Sequence, residues 1–383
     1  MFSQRTDHDS TANDLTVATR ARRERGARVI DLSVSNPTIC DLPAIPQDLF
    51  AQPAARTYHA EPFGLPAARA AIADEYARAG IEVDPARVVI TASTSEAYAF
   101  AFKMLADPGQ RIAIPAPSYP LFDFLARGEG VETVSYPLVF DGHRYHYEPA
   151  LIPEGVRAAI AVSPNHPTGS QIDEAFVHAL AERGLPLIVD EVFGRFSVED
   201  TAPLSCVHYT PTSGLLLRLC GLSKQLALPQ AKLSWILVDG EPALVQEALR
   251  RLELIADTFL SVAGPVQHAL TSLFARGAEV RAAITARAQD NLRALREQLR
   301  DAPCSALRVP AGWVAVVRVP ACDDEALATQ LLERTGVLTY PGRYFGIPHA
   351  ALVISLLATE PELAVGAAAL AAFLTDKDTQ FGS

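Results

Sequence analysis

The chain has 383 residues, 49% of them hydrophobic and 20% charged, with a slightly positive mean hydropathy. This is enough apolar material for a large core and, by length, for two domains or one large domain with a satellite. A formal charge of −11 and a pI near 5.3 argue against nucleic acid or an anionic membrane as the main partner, and leave small-molecule chemistry as the natural expectation.

The first residues, MFSQRTDHDSTAND, are polar, and no apolar run approaches the ~18 residues of a membrane span, so neither signal peptide nor anchor is expected. Residues 13–28 mix apolar and arginine positions at helical spacing. VIDLSV then reads as a short strand entering a site loop at Ser35-Asn36-Pro37-Thr38. Residues 40–61, which include Tyr58, show no sustained period and read as irregular. Residues 64–80 carry a proline near the start and a terminal glycine, the start and stop signals of a helix.

Seven short β-branched or leucine runs follow, at 88–91, 111–115, 131–136, 158–163, 186–191, 214–221 and 234–239, with helical segments such as 95–106 and 173–183 between them. The alternation predicts an α/β fold, a mostly parallel sheet covered on both faces, with the ligand at the carboxyl ends of the strands. The polar punctuation falls there: Ser93-Thr94-Ser95, Ser118-Tyr119, Asn165-His166, Asp190 and Ser223-Lys224. From 241 to about 301 the chain reads as long helices able to bridge two domains. A strand, a helix, the loop TYPGRYFG, a strand and a final helix then form a smaller α/β unit. The expected division is an arm and part of the small domain at 1–45, a large domain at 46–285, and the rest of the small domain at 286–383. The five cysteines, Cys40, Cys206, Cys220, Cys304 and Cys322, are odd in number and widely spaced, which signals neither a disulfide framework nor a zinc site and fits a reducing cytoplasm.

Only four lysines occur, Lys103, Lys224, Lys232 and Lys377, and arginine supplies the rest of the 33 basic residues. A lysine kept after the apolar run GLLLRLCGL points to a primary amine, the group that forms a Schiff base with an aldehyde. By itself Lys224 reads more readily as a surface charge after a strand. Ser93, Thr94 and Ser95 open a helix and could cradle a phosphate, or could simply cap it. Asp190 closes an apolar strand, where a carboxylate is costly unless paired, and a pyridinium nitrogen would be a suitable partner. Tyr119 could stack on a flat ring or pack in the core. Together, an amine, an aspartate, a phosphate cradle and a stacking aromatic are the parts that pyridoxal 5′-phosphate (PLP) requires.

On this ordered set the chain resembles the class I/II aminotransferases of fold-type-I PLP enzymes, from about Leu32 to the last helix. The motifs are YHAEPFGLPAAR (58–69), TASTSEA (91–97), DPGQRIAIPAPSYP (107–120), SPNHPTG (163–169), DEVF (190–193), and Ser223-Lys224 followed eight residues on by Lys232. The resemblance implies that Lys224 binds the cofactor covalently and shuttles protons, Asp190 holds the pyridine nitrogen protonated, and Tyr119 stacks on the ring. It places Ser93, Thr94, Ser95, Ser223 and Lys232 around the phosphate, with Tyr58 crossing from the partner subunit of a homodimer. The implied reaction is amino-group transfer between an amino acid or amine and a keto partner. The alternative is another PLP reaction, such as decarboxylation, elimination or oxidation.

The chain also departs from the pattern. Where the family commonly has asparagine and tyrosine on the cofactor's phenolic oxygen, it has His166 and Phe193, with Asn165 as a possible substitute for the first. Gly221 stands for a serine three residues before the lysine, and Lys232 for an arginine. Val353 occupies the place of the arginine that clamps the substrate carboxylate. Arg343, assisted by Asn36, is the candidate replacement, with an ordinary loop arginine as the alternative.

Overall fold

The structure, a computed structural model, describes residues 4–6, 11–46, 48, 60–199, 213–320 and 322–376. All seven apolar runs are strands of one sheet: β1 (Val88–Thr91), β2 (Arg111–Ala116), β3 (Glu132–Pro137), β4 (Ala159–Val162), β5 (Leu187–Asp190), β6 (Leu215–Gly221) and β7 (Ser234–Gly240). Their order is β1-β7-β6-β5-β4-β2-β3. Strand β7 runs antiparallel to β1 and β6, and every other pairing is parallel. The mostly parallel α/β sheet expected from the sequence is therefore present.

Both faces of the sheet are buried, which is why its strands are apolar runs rather than alternating ones. Among the described residues the helices are α1 (Asp14–Glu24), α2 (Pro66–Ala77), α3 (Thr94–Leu105), α4 (Phe122–Gly128), α5 (Glu174–Glu182), α6 (Leu222–Gln225), α7 (Pro242–Phe259), α8 (Gly264–Gln298), α9 (Asp324–Thr335) and α10 (Glu360–Thr375). Val89, Ile112, Ile160, Ile188, Leu217 and Ile236 pack with side chains of α3, α4 and α7 on one face. Their chain neighbours, such as Ala113, Ala159, Leu187, Leu216 and Trp235, pack with α2, α5 and α8 on the other.

A second, antiparallel sheet contains β8 (Ser305–Ala306), β9 (Val314–Arg318), β10 (Tyr340–Pro341) and β11 (Ala351–Ser355), in the order β8-β9-β11-β10. The amino-terminal arm joins this end of the molecule, since Ile30–Asp31 pairs in parallel with Val337–Leu338 and α1 packs on α9. Helix α8 packs against α2 and against α10, and position 285 lies inside it.

Candidate active site

Lys224 sits in α6, a single turn that begins where β6 ends. Buried Leu222 and Leu226 hold both ends of the turn in the core. Lys224 Nζ donates to Ser35 O at 3.3 Å and lies 5.6 Å from the centre of the Trp313 ring. Burial lowers its proton affinity below that of an ordinary lysine, with Asp190 opposing. The other described lysines differ: Lys103 is exposed, paired with Glu129 and set over Phe259, and Lys232 is exposed.

Asp190, the last residue of β5, is 8% exposed. Its Oδ1 accepts from Val192 N at 3.0 Å and its Oδ2 from Tyr98 OH at 3.0 Å. Burial pushes its carboxyl up to about 6, while the amide, the phenol and Lys224 pull the other way. Tyr98 was not among the residues singled out from the sequence. The signal was there: Tyr98 is one helical turn past Thr94 on the helix that starts at a site strand. Glu191, the next residue, lies 3.7 Å from the fully buried Arg218, a structural place on the other face from Asp190.

At the end of β1, Ser93 caps α3, its Oγ accepting from Glu96 N at 3.1 Å. Glu96 reaches back to Ala92 N at 2.6 Å and receives Ser261 Oγ at 2.8 Å. The Ser93 hydroxyl is thus a helix cap. The amides of Thr94 and Ser95 have no acceptor among the described residues, as the first N–H groups of a helix do not. Ser223 lies in the first turn of α6, and Lys232 has a left-handed backbone (φ 52) just before β7.

Burial, and after it the Asp190 carboxylate, raises the proton affinity of the Tyr119 phenol, and burial, with Lys224 adding to it, lowers that of His166 to about 4. These four groups therefore share one electrostatic neighbourhood. Tyr119 is 41% exposed and touches Phe122 edge-on at 6.0 Å, leaving ring surface open. Asn165 is buried and uses its polar atoms within its own surroundings: Nδ2 donates to Ser118 Oγ (3.2 Å) and Tyr147 OH (3.3 Å), and Oδ1 accepts from Thr168 Oγ1 (2.9 Å). Of the two neighbours, His166 is the one coupled to Lys224. Its ring stacks on Phe193 (5.7 Å, 19°) and meets Phe345 edge-on at 5.3 Å, and Phe193 meets Trp313 at 5.0 Å. Beside the lysine there is accordingly an aromatic wall, and Trp313 and Phe345 are the members that sequence reasoning missed.

Val353 is buried in β11, paired with Val316 and Tyr340. Arg343 is committed elsewhere: its Nε bonds Asp324 Oδ1 at 2.6 Å and an Nη reaches Asp323 at 2.8 Å, with Glu325 at 4.0 Å. Three successive acids at the start of α9 hold this guanidinium. Asn36 likewise turns its Oδ1 onto Thr38 N (3.0 Å) and Oγ1 (2.7 Å), although the adjacent Ser35 carbonyl receives Lys224. Tyr58 lies outside the described residues. Among those residues no group of three or more His, Cys, Asp or Glu side chains could hold a metal ion, and no helix is long and apolar enough to cross a membrane.

A desolvated lysine beside a buried carboxylate, at the strand ends of a doubly covered α/β sheet, is the arrangement of a fold-type-I PLP enzyme. Residues 27–370 match the family described as aminotransferase class I and II. The arginine–pyruvate transaminase AruH of Pseudomonas aeruginosa is 30% identical over 94% of each chain. The valine–pyruvate aminotransferase of Mycobacterium tuberculosis is 28% identical over 62% of each chain, and human tyrosine aminotransferase is 27% identical over 65% of this chain and 58% of its own. For these last two, the match spans less than two thirds of the relative's length. Among solved structures, the alanine aminotransferase of Pyrococcus furiosus superposes with a TM-score of 0.86 at 21% identity, over 98% of this chain and 99% of its own. The chain belongs to the aminotransferase class I and II family, whose members are PLP-dependent. The residues present fit that cofactor chemically. Among the described residues no cation is in hydrogen-bond contact with the buried Asp190 carboxylate, and the amides of Thr94 and Ser95 at the start of α3 have no acceptor and could receive an anion.

Proposed function

We propose that the protein is a PLP-dependent aminotransferase that moves an amino group between an amino acid or amine and a 2-oxo acid or other keto partner. The observation that carries this reading is the coupling of Lys224 to Asp190 at neighbouring strand ends, in a chain of this family. The cofactor, when bound, supplies an aldehyde carbon and an electron-accepting ring. Lys224 Nζ, whose neutral form burial favours, is the amine that would hold it and then accept and return a proton. Asp190, oriented by Tyr98 and Val192 N, would hold a proton on the ring nitrogen. Tyr119 would cover one face of the ring. The amides of Thr94 and Ser95, with Ser93, Ser223 and Lys232, would bind the phosphate. His166, neutral at physiological pH, would stand on the phenolic side with one N–H to donate, and Asn165 would fix the turn that presents it.

The aromatic wall and the absence of an arginine at Val353 support a substrate with an apolar side chain, bound without a bidentate arginine clamp. The test is a single-turnover assay with the reconstituted protein and a donor panel that includes amines without carboxylates. Stoichiometric release of a keto product with formation of pyridoxamine 5′-phosphate is expected. No conversion with any donor would favour decarboxylation, elimination or oxidation instead.

The reading includes a cytoplasmic homodimer in which Tyr58 enters the partner's site. Exposed apolar Ile39, Phe259 and Leu260 support an interface, and the free Cys40, Cys220, Cys304 and Cys322 suit a reducing compartment. It also includes a small domain, from 1–45 and 286–383, closing on the large domain of 46–285.

A further inference from the structure

Gly221 stands three residues before Lys224, where the family resemblance leads one to expect a phosphate-binding serine. Its backbone is extended (φ −175), a conformation any residue adopts, so the backbone does not call for glycine. Space does. A Cβ placed on Gly221 would overlap Ser234 Oγ and stand 2.8 Å from Ser234 Cβ and 3.1 Å from its Cα. The volume that a side chain at 221 would occupy is already filled by the side chain of Ser234.

Ser234 opens β7 and is the cross-strand partner of both Thr91 in β1 and Gly221 in β6. It therefore sits between the strand that leads to Ser93–Ser95 and the strand that leads to Ser223 and Lys224. The residue is 1% exposed. Thr91 beside it donates to Ser93 O at 3.0 Å, at the start of α3. The Ser234 hydroxyl therefore lies between the strand ends that carry the two halves of the proposed anion cradle, in the volume a side chain at 221 would take.

We infer that Ser234 supplies, from the neighbouring strand, the phosphate-binding hydroxyl that position 221 lacks, so that glycine at 221 and serine at 234 are an exchanged pair. This deepens the function proposed above and rests on it. The test titrates apoprotein with PLP and, separately, with pyridoxal, the same ring without its phosphate, following protein fluorescence. Wild type should prefer PLP. Ser234→Ala should weaken PLP binding roughly ten- to a hundredfold, the range of one hydrogen bond to a charged group, and leave pyridoxal affinity unchanged. Ser234→Gly is the second variant for the same comparison. Adding Gly221→Ser to Ser234→Gly should restore PLP affinity, because the hydroxyl returns to the same volume from the other strand. Unchanged PLP affinity in Ser234→Ala, or an equal loss for PLP and pyridoxal, overturns the assignment, as does a folded double variant that binds PLP no better than Ser234→Gly. A wild-type protein that binds PLP no better than pyridoxal would contradict the cofactor reading itself.

Discussion

Asp190 and His166 are both withdrawn from water, and burial moves their proton affinities in opposite directions. The carboxyl of Asp190 rises from 3.8 to about 6, so the folded apoprotein bears the cost of its charge fully above about 6 and is relieved of it as pH falls toward 3.8. That cost is at most about 3 kcal/mol. Asp190→Asn should therefore leave the apoprotein as stable or more stable at pH 7.5, by thermal unfolding, while abolishing amino transfer. A loss of several degrees would contradict the burial argument. His166 falls from 6.5 to about 4, so its contribution is intact above 6.5 and lost as pH falls toward 4. Relative to wild type, His166→Asn should gain stability on acidification through this window, and Asp190→Asn should lose it. Parallel pH–stability curves for the two variants would refute the opposed shifts.

The acidic start of α9 and the turn at Gly342–Phe345 form one clasp, and Arg343 is its centre. Asp324 is nearly fully buried and accepts from Arg343 Nε, from Arg343 N and from Ala351 N, tying the helix to the turn and to β11. Arg343→Ala should cost about 1–2 kcal/mol of stability and leave KM for carboxylate donors unchanged. A specific rise in KM for such donors would restore the carboxylate-clamp role. Elements of this kind mark the boundary of what the sequence makes legible. The seven strands of the main sheet were legible because each is a short apolar run, and five of them lead into polar residues. Lys224 and Asp190 were legible for the same reason. The ion pairs of Arg343 were not legible, because spacing shows an arginine in a loop but not the Asp324 carboxylate nineteen residues earlier that folds onto it. Tyr98 and Trp313 look like core aromatics in their helix and strand patterns, and only the packing reveals that one donates to Asp190 and the other lies beside Lys224. Ser234 was overlooked because its relation to Gly221 exists only across the antiparallel pairing of β7 with β6.

At the scale of the molecule, the strand ends of the main sheet and the arm at Ser35 converge on Lys224, while α8 ties the main sheet's helices to those packed around the second sheet. The dimer reading predicts a particle of twice 41.1 kDa by light scattering, and a monomer that turns over donor at the full rate would exclude a partner's Tyr58 from the site. The central claim is that one amine, Lys224 Nζ, holds the cofactor. Borohydride reduction of the reconstituted protein followed by peptide mass spectrometry tests it directly. The account predicts the phosphopyridoxyl mass on the peptide carrying Lys224, and its loss in Lys224→Ala. The same mass on Lys103 or Lys232, or retained in the variant, would contradict it.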